Sequence, residues 1–399
     1  MEFLNDTQID FMKYRKVCMV VSVVFVLLGI AALFSHQRLN LGIDFAGGTQ
    51  MTLKFKEDPD VQGLRETLAS AGLGDAQIQR FGEEGAHEVI IKTPVIKGSE
   101  EGSVDLVTAA LDADFGGAAD GLDLNRVGSA ELAQVLAARD PDGVAGGAVE
   151  QEEDRVLVHY QQVADAILEV RREDGLIQDL DQLDRAEGLT EETLTAVREL
   201  SSLSDYSVLA VENVGPQIGR ELSVRGILAV VLSLIGMLAY IWLRFELRYG
   251  VGAVAAVFHD TLVCLGLFAL FDFEFNLTTI ASFLTLVGYS VNDTVVVFDR
   301  VRENLRKNRR QPLVDVLNES LNQTLSRTVL TSGTTLLVVA TLLFYGGDVL
   351  RGFAFVLTIG IVVGTYSSIY VASPVALLWE QLFGAEARSR RKIARRKAA

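Results

Sequence analysis

Five ionisable or strongly polar residues lie inside long apolar stretches of this sequence. His259 and Asp260 are neighbours in one stretch, Asn292 and Asp293 are neighbours in the next, and Arg327 begins another. A charged side chain in the hydrocarbon of a membrane is costly, so such residues usually face a protein interior and serve ion or proton pathways. These five side chains are therefore the first candidates for chemistry.

Asp293 is the best placed of them for proton binding. It precedes the charged pair Asp299 and Arg300 by six residues, which puts it about 9 Å inside an apolar helix. Arg327 reaches the same depth if its helix begins near Leu321. Burial favours the protonated form of a carboxylic acid, whereas a nearby guanidinium favours the ionised form. A carboxyl group under both influences is suited to bind and release a proton.

Two interpretations are open for these side chains. Asp293 and Arg327, with Asn292, form either a proton relay or a pair that only fixes helix packing, and residue types alone favour neither. His259 and Asp260 lie about 15 Å into their helix. For these two residues helix packing is the favoured interpretation, with proton transfer as the alternative.

The elements that position these residues are six apolar segments, each near the roughly 20 residues that a membrane span requires. They cover residues 17–34, 226–243, 250–271, 276–298, 325–345 and 353–379. Lysine and arginine cluster at alternate ends of the segments, which marks the cytoplasmic side. Both termini, 1–16 and 380–399, and a basic loop, 299–324, are thus predicted to be cytoplasmic, and residues 35–225 to be extracytoplasmic.

The extracytoplasmic segment predicts an α+β domain. Strand-like alternation covers 49–55, 76–81, 87–93 and 207–212, and helical spacing covers 60–72 and 105–111. The order β-α-β-β-α-β is the ferredoxin-like split motif. We assign it to residues 41–127 and 205–220.

Residues 128–204 interrupt this motif and predict a helical insert. Helices are expected over 155–172 and 190–200, with a linker over the Pro/Gly/Ala-rich residues 141–147. A faint similarity to a helix-hairpin-helix unit lacks the second glycine of its turn. Residues 35–225 also carry 37 aspartates and glutamates against 16 lysines and arginines. Such an acidic domain repels phosphates, so nucleic acid is not an expected partner.

The remaining patterns exclude most catalytic functions. The sequence has no nucleotide-binding loop, Gly-x-Ser-x-Gly elbow or His-Glu-x-x-His motif. Its two cysteines, Cys18 and Cys264, have no metal-binding spacing. We therefore expect no enzyme, no ATPase of its own, no metal and no cofactor, so any energy must come from another subunit or from an ion gradient. The basic tail is interpreted as a topology signal that also contacts anionic membrane lipid, with contact to a ribosome or a cytoplasmic partner as the alternative.

Small residues predict where helices pack closely. Gly360, Gly364 and Ser368 recur every fourth residue in the last span, as in small-xxx-small interfaces. Residues 331–335 form a slim polar patch in the fifth span, which also favours packing.

Several motifs resemble those of the SecD/SecF family of protein-export membrane proteins. Leu41–Thr49 reads LGIDFAGGT, Val214–Gly219 reads VGPQIG, and Gly288–Asn304 reads GYSVNDTVVVFDRVREN. The last is the most specific, because the Asn-Asp-Thr form is similar to the SecF members and differs from SecD. The signature residues are Gly42, Asp44, Gly47, Gly48, Gly215, Pro216 and Gly219. The resemblance covers about 1–110 and 205–380, and the insert has no counterpart in it.

The resemblance implies a proton-coupled accessory subunit of the Sec translocase. Implied partners are SecD, the SecYEG channel, YajC and the exported preprotein chain, in the bacterial inner membrane. The implied fold is a six-helix bundle like half of a resistance-nodulation-division exporter. Asp293 would carry the proton and Arg327 would lie beside its path.

Two other functions stay open. A small-molecule exporter of the resistance-nodulation-division type would usually have a second outer domain and a second set of spans. A passive scaffold of the channel complex would need Asp293 and Arg327 only for assembly.

Overall fold

The computed structural model describes residues 7–35, 39–82, 85–94, 102–116, 121–144, 150–244, 246–308 and 310–384. The chain divides into two compact units. The membrane unit combines Met1–Phe45 with Glu221–Ala399, and the sheet unit is Ala46–Arg220.

Helices predominate in the described residues. The α-helices are α1 (Arg15–Ser35), α2 (Ile43–Ala46), α3 (Val61–Ser70), α4 (Gly102–Phe115), α5 (Ser129–Arg139), α6 (Glu150–Asp174), α7 (Glu191–Leu200), α8 (Pro216–Arg244), α9 (Leu247–Leu270), α10 (Leu277–Lys307), α11 (Leu313–Tyr345), α12 (Gly347–Ser367) and α13 (Ser373–Trp379). The strands are β1 (Gly48–Phe55), β2 (Gln77–Phe81), β3 (Glu88–Thr93), β4 (Leu122–Asp123), β5 (Ser201–Ser202) and β6 (Tyr206–Val214).

Six helical stretches are long and apolar enough to cross a membrane. They are α1, α8, α9, α10, α11 and the continuous run of α12, a π-helical turn over Ser368–Ala372, and α13. The prediction of a six-helix membrane bundle is confirmed, and the chain is a multi-pass membrane protein. Residues 1–6 and 385–399 lie outside the described residues, and the second of these ranges holds most of the basic tail.

Residues 299–307 and 313–324 of the stretch predicted as a basic loop are helical. α10 continues to Lys307 and α11 already begins at Leu313, so only a short connection remains. The two extensions are held together by polar contacts, since Asn304 Nδ2 donates to Ser320 Oγ at 2.9 Å. Hydropathy identifies only the apolar part of a helix. Polar contacts such as this one stabilise the helical residues beyond the apolar span.

The segment before α1 is held against α11 by two asparagines. Asn322 Oδ1 accepts from the backbone N–H of Ile9 at 2.9 Å, and Asn322 Nδ2 donates to the Ile9 carbonyl at 2.8 Å. Asn318 Oδ1 accepts from the backbone N–H of Met12, also at 2.9 Å. Met12 itself is buried. These bonds attach the start of the first span to α11.

α1 and α9 cross in direct backbone contact at two glycines. A Cβ added to Gly266 would lie 2.1 Å from Gly29 Cα, and one added to Gly29 would lie 2.9 Å from the Leu262 carbonyl oxygen. Helices approach this closely only where side chains are absent. Gly29 and Gly266 therefore fix the position of the first span.

The sheet unit contains a four-stranded antiparallel sheet in the order β2-β3-β1-β6. β1 pairs with β3 from Thr49 opposite Thr93 to Lys54 opposite Glu88. With α3 between β1 and β2, and α4 after β3, this order is the ferredoxin-like arrangement that the sequence predicts. That part of the fold prediction is confirmed.

Alternation along β1 builds the core of this sheet. Met51, Leu53 and Phe55 point to one face and are almost fully buried. Leu64 and Leu68, four residues apart on α3, pack against them. Apolar residues at every second position of β1 and four residues apart on α3 thus form one apolar layer.

The insert has an apolar core of its own, which includes Leu136, Tyr160, Ile167, Leu183 and Val197. α6 and α7 correspond to the two predicted helices. α5 was not predicted, although Leu132, Ala133 and Leu136 on it are buried at helical spacing. The short parallel pair of β4 and β5 joins the beginning and end of the insert.

The first residues of the predicted linker, 141–144, form a turn between α5 and α6 that is bonded to neighbouring helices. The backbone N–H of Asp142 donates to Tyr160 Oη of α6 at 2.9 Å. The Asp142 side chain contacts His159 of α6 and Thr193 of α7. Residues 145–147 lie outside the described residues. A Pro/Gly-rich composition therefore marks a turn here that is bonded to the insert.

Asp142 is expected to stabilise the insert by linking three of its parts. Its Oδ2 lies 2.7 Å from His159 Nε2, and its Oδ1 accepts from Thr193 Oγ1 at 2.6 Å and from Thr190. Asp142→Ala leaves these groups without their acceptor. We expect it to cost about 1–3 kcal/mol, visible as faster amide hydrogen exchange in α7. Exposed Asp75 provides the control, because Asp75→Ala should leave α7 unchanged.

The pH dependence of this contact follows from the same geometry. Burial raises the pKa of the Asp142 carboxyl, but the bonds from His159, Thr190 and Thr193 outweigh it, so the pKa lies below its ordinary value of 3.8. A lowered folded pKa means that the stabilisation is complete above 3.8 and disappears as the pH falls through the folded value. Equal protection of α7 at neutral pH in wild type and Asp142→Ala would contradict this role.

Candidate functional site

Asp293 lies on the buried face of α10, where its side chain meets a chain of hydroxyl groups. The residue is 3% exposed, and its Oδ2 accepts a hydrogen bond from Ser332 Oγ of α11 at 3.1 Å. Ser332 Oγ in turn accepts from Thr365 Oγ1 of α12 at 3.0 Å and from Tyr289 Oη at 3.2 Å. Three helices thus supply polar contacts to one carboxyl group in an otherwise apolar bundle.

Asn292 does not join this network. Adjacent residues on an α-helix are rotated by about 100°, and Asn292 accordingly lies on the exposed face of α10 while Asp293 lies on the buried one. Its predicted place beside Asp293 in a relay therefore has no support from the contacts of the described residues.

Arg327 does not form the expected lateral pair with Asp293. Its side chain is exposed in this chain by itself, and among the described residues no carboxylate oxygen lies within 4.0 Å of it. The reason is helical phase. Thr328 and Ser332, four residues apart, occupy the buried face of α11, so Arg327 is turned away from it. α11 also begins at Leu313, earlier than the start near Leu321 on which the depth comparison rested.

His259 and Asp260 form a second buried polar cluster on α9. Asp260 Oδ1 lies 2.8 Å from His259 Nδ1, and Asp260 is 1% exposed. Its Oδ2 accepts from Ser290 Oγ of α10 at 2.5 Å and from Ser367 Oγ of α12 at 2.7 Å. The Asp260 carboxyl therefore has direct partners on its own helix and on two others.

The hydroxyl residues around both carboxyls are not among the predicted site residues. They are Ser290, Ser332, Thr365 and Ser367. One signal is present in the sequence, since Ser290 precedes Asp293 by three residues and shares its helix face. The polar patch 331–335, interpreted as packing, contains Ser332. Which hydroxyl meets which carboxyl depends on the neighbours of each helix.

The small residues of the last span allow close approach of α12 to α10. A Cβ on Gly360 would lie 2.3 Å from Leu286 Cδ1, and one on Gly364 would lie 3.4 Å from Ser290 Cβ. Ser368 bonds instead to the Thr365 carbonyl of its own helical run, at 2.9 Å. The two glycines bring α12 within hydrogen-bonding range of the carboxyl groups.

The first signature motif holds the residues after α1 against the turn before α10. Gly42 N–H donates to the Phe275 carbonyl at 3.0 Å, and a bridge joins Leu41 to Phe275. Asp44 Oδ2 accepts from the backbone N–H of Leu277, the first residue of α10, at 3.0 Å. Asp44 thus satisfies one of the unpaired donors at the start of the helix that carries Asp293.

The other signature residues shape the backbone. Gly47 and Gly48 have φ angles of +72° and +138°, and a Cβ on Gly48 would lie 2.4 Å from the Thr93 carbonyl oxygen. Pro216 is the first residue of α8, where a missing N–H is tolerated, and Gly219 N–H donates to the Gly215 carbonyl at 3.0 Å.

Asp44→Ala is expected to loosen the start of α10. Loss of a capping acceptor typically costs about 1 kcal/mol, so the first amides of α10 should exchange hydrogen faster. Asp44→Asn keeps an acceptor oxygen and is the matched control, expected to behave like wild type. Identical exchange in Asp44→Ala and wild type would show that this bond does not hold the helix.

Comparisons with known proteins agree with these motifs. Residues 194–382 match the family model described as "Protein export membrane protein SecD/SecF, C-terminal", and residues 32–59 match the "SecD/SecF GG Motif". The SecF translocase subunit of Koribacter versatilis is 39% identical over 396 residues, covering 96% of this chain and 95% of that protein. That of Desulfurispirillum indicum is 34% identical, covering 93% of this chain and 91% of that protein.

Solved structures show the same relationship. The crystal structure of SecDF, a translocon-associated membrane protein from Thermus thermophilus, superposes with a TM-score of 0.65 at 30% identity. The match covers 95% of this chain but 40% of the SecDF chain, so this chain spans about two fifths of that protein. SecDF in its super-membrane-facing form matches with a TM-score of 0.57 at 31% identity. With relatives this similar over nearly its whole length, the chain belongs to the SecF family of protein translocase subunits.

Proposed function

We propose that this chain is an accessory subunit of the Sec translocase that, together with SecD, uses the proton-motive force to promote late steps of preprotein export. The observation that supports the proton role is Asp293, a carboxyl group buried in a membrane bundle and bonded only through neutral hydroxyls. The chain would contribute no ATPase activity and need no cofactor. Its energy would come from proton movement across the bacterial inner membrane.

Protonation of Asp293 changes the hydrogen bonds that its neighbours can make with the carboxyl group. An ionised carboxylate accepts from Ser332 Oγ, whereas a protonated carboxyl also donates and favours a different hydroxyl orientation. Ser332 is bonded to Thr365 and Tyr289, so a change there reaches α10, α11 and α12. Protonation would thus shift the population between two helix arrangements.

The signature motif offers a route from Asp293 to the sheet unit. Asp293 and the Asp44-bonded residue Leu277 are on the same helix, and Asp44 is followed after three residues by Gly48, the first residue of β1. A movement of α10 would therefore act on the chain just before the sheet begins. We propose that the sheet unit is extracytoplasmic, that both termini are cytoplasmic, and that the sheet unit contacts the exported preprotein.

Arg327 supports SecD as the partner in the membrane. Its side chain and those of Thr331 and Thr334, one and two turns further along, are exposed on one face of α11. A charged and hydroxylated face is unfavourable against lipid, so we propose that a SecD helix with a buried carboxylate covers it. The protein of known structure that is called SecDF carries both names, and association with SecYEG and YajC completes the proposed assembly.

The SecD contact is tested by cysteine crosslinking in membranes. Thr331→Cys should form crosslinks to single cysteines placed on SecD helices, and Arg327→Ala should weaken copurification with SecD. The matched control is Val329→Cys, also exposed on α11 but about 160° around the helix axis from Thr331, and therefore off the proposed contact face. A membrane-soluble thiol reagent should label Thr331→Cys less in the complex with SecD than in the isolated chain. Equal labelling in both would exclude a partner at this face.

The energy source is tested by collapsing the proton gradient. Preprotein release from membrane vesicles should rise when this chain and SecD are present, and a protonophore should remove that increase while ATP remains available. A passive scaffold predicts the same increase with and without the protonophore. That result would move the assignment from proton coupling to scaffolding.

A further inference from the structure

His259 and Asp260 form a polar pair on α9 that Asp293 does not touch in the described contacts. Their side chains are 7% and 1% exposed, and the two are 2.8 Å apart. Two serine hydroxyls, from Ser290 and Ser367, complete the contacts of the Asp260 carboxyl. The pair is therefore enclosed by α9, α10 and α12.

The charge around this pair is unbalanced unless it binds protons. Among the described residues His259 is the only basic group within 4.0 Å of Asp260. The other titratable groups facing the pair are Cys264 on the next turn of α9 and Tyr366, whose ring centroid lies 6.4 Å from that of His259. Neither supplies a positive charge. An isolated carboxylate is costly in an apolar interior, so a proton held by the pair removes that cost.

The second nitrogen of His259 argues against packing as its only role. His259 Nε2 is buried and has no hydrogen-bond partner in the described part of the chain. A buried polar atom without a partner lowers stability, and an apolar residue of similar size would pack there at less cost. An imidazole with one nitrogen bonded to Asp260 and the other free is able to gain or lose a proton without breaking that bond.

α10 and α12 contribute hydroxyl groups to the polar networks around both carboxyl groups, directly at Asp260 and through Ser332 at Asp293. α10 carries Ser290, bonded to Asp260, three residues before Asp293 itself. α12 carries Ser367, bonded to Asp260, and Thr365, which reaches Asp293 through Ser332. A shift of α10 or α12 at one carboxyl therefore alters the donors available to the other.

We propose that His259 and Asp260 form a second proton-binding site, energetically coupled to the Asp293 site through α10 and α12. This inference rests on the proposed function, because it assumes that Asp293 binds a proton. The pair takes up one proton and releases the same proton, and no other bond is made or broken. Since both sites bias the same helices, a proton at one changes the affinity of the other by the same factor in each direction.

The experiment is a pH titration of the complete chain in complex with SecD, reconstituted in lipid vesicles and followed by difference infrared spectroscopy of carboxyl and imidazole bands. Wild type should show two titrating signals, one from the Asp293 carboxyl and one from the His259–Asp260 pair. Asp260→Asn should remove one and shift the midpoint of the other, and Asp293→Asn should remove the other. His259→Asn should shift the Asp260 signal, because the carboxyl loses its imidazole partner.

Ser367→Ala keeps the inference testable if Asp260→Asn does not assemble. It removes one donor to the carboxylate and should favour the protonated acid at Asp260, moving the midpoint of that signal. Ser368→Ala is the matched control, since Ser368 is equally buried but bonds only within its own helical run. An unchanged titration in both Asp260→Asn and Ser367→Ala overturns the second site. If Asp293→Asn still removes a signal in that case, the proposed function stands without it.

Discussion

Replacing Asp293 with asparagine is expected to abolish proton-driven preprotein release while leaving the protein inserted and bound to SecD. Asparagine has nearly the size of aspartate and can still accept a hydrogen bond from Ser332, so the contact with α11 is preserved. It cannot ionise, so the change of charge that shifts the helices is lost. Release from membrane vesicles should fall to the level of vesicles without this chain, with SecD copurification measured on the same preparation.

The matched control for this experiment is Asp299→Asn. Asp299 lies on the same helix and undergoes the same chemical change, but its side chain is 60% exposed and lies 3.6 Å from exposed Arg244. Exposed ion pairs contribute little, so export should be unaffected. Normal release by Asp293→Asn would make this carboxyl a packing group. Loss of release together with loss of SecD would support the passive scaffold instead.

The largest structural effect is expected from Gly266→Ala. A methyl group there would lie 2.1 Å from Gly29 Cα, and backbone atoms of α1 cannot move aside as a flexible side chain can. Overpacking typically costs about 1–3 kcal/mol, and this case should reach the upper part of that range because α1 must separate from α9. The thermal unfolding midpoint in detergent should fall. Crosslinking between cysteines flanking the α1–α9 crossing should weaken.

Gly236→Ala is the control for the cost of a helical glycine substitution. Gly236 lies in α8, another membrane helix, and no heavy atom lies within 4 Å of the position its Cβ would occupy. The added methyl group should slightly favour the helix, as alanine is the better helix former. Equal unfolding midpoints for Gly266→Ala and Gly236→Ala would mean that the α1–α9 crossing adapts without cost.

Several features of this protein follow from sequence alone. The six spans follow from apolar length, because a membrane helix satisfies its backbone bonds internally and needs about 20 mostly apolar residues to cross the hydrocarbon. The β-α-β-β-α-β order of elements along the chain follows from alternating periods of two and 3.6 in 49–111 and 207–212. Asp293 stands out because a carboxyl in such a span is costly. Each of these inferences uses a pattern local to one element.

Other features were decided only by tertiary structure. The sequence predicted Arg327 beside Asp293, but the helical phase set by Thr328 and Ser332 turns it to the exposed face. The serines that bond Asp260 come from helices 30 and 107 residues further along the chain. Gly29 and Gly266 resemble other glycines in the spans until the helices cross. Hydropathy and periodicity define what a helix buries, and only the packing of neighbouring helices determines which side chains meet there.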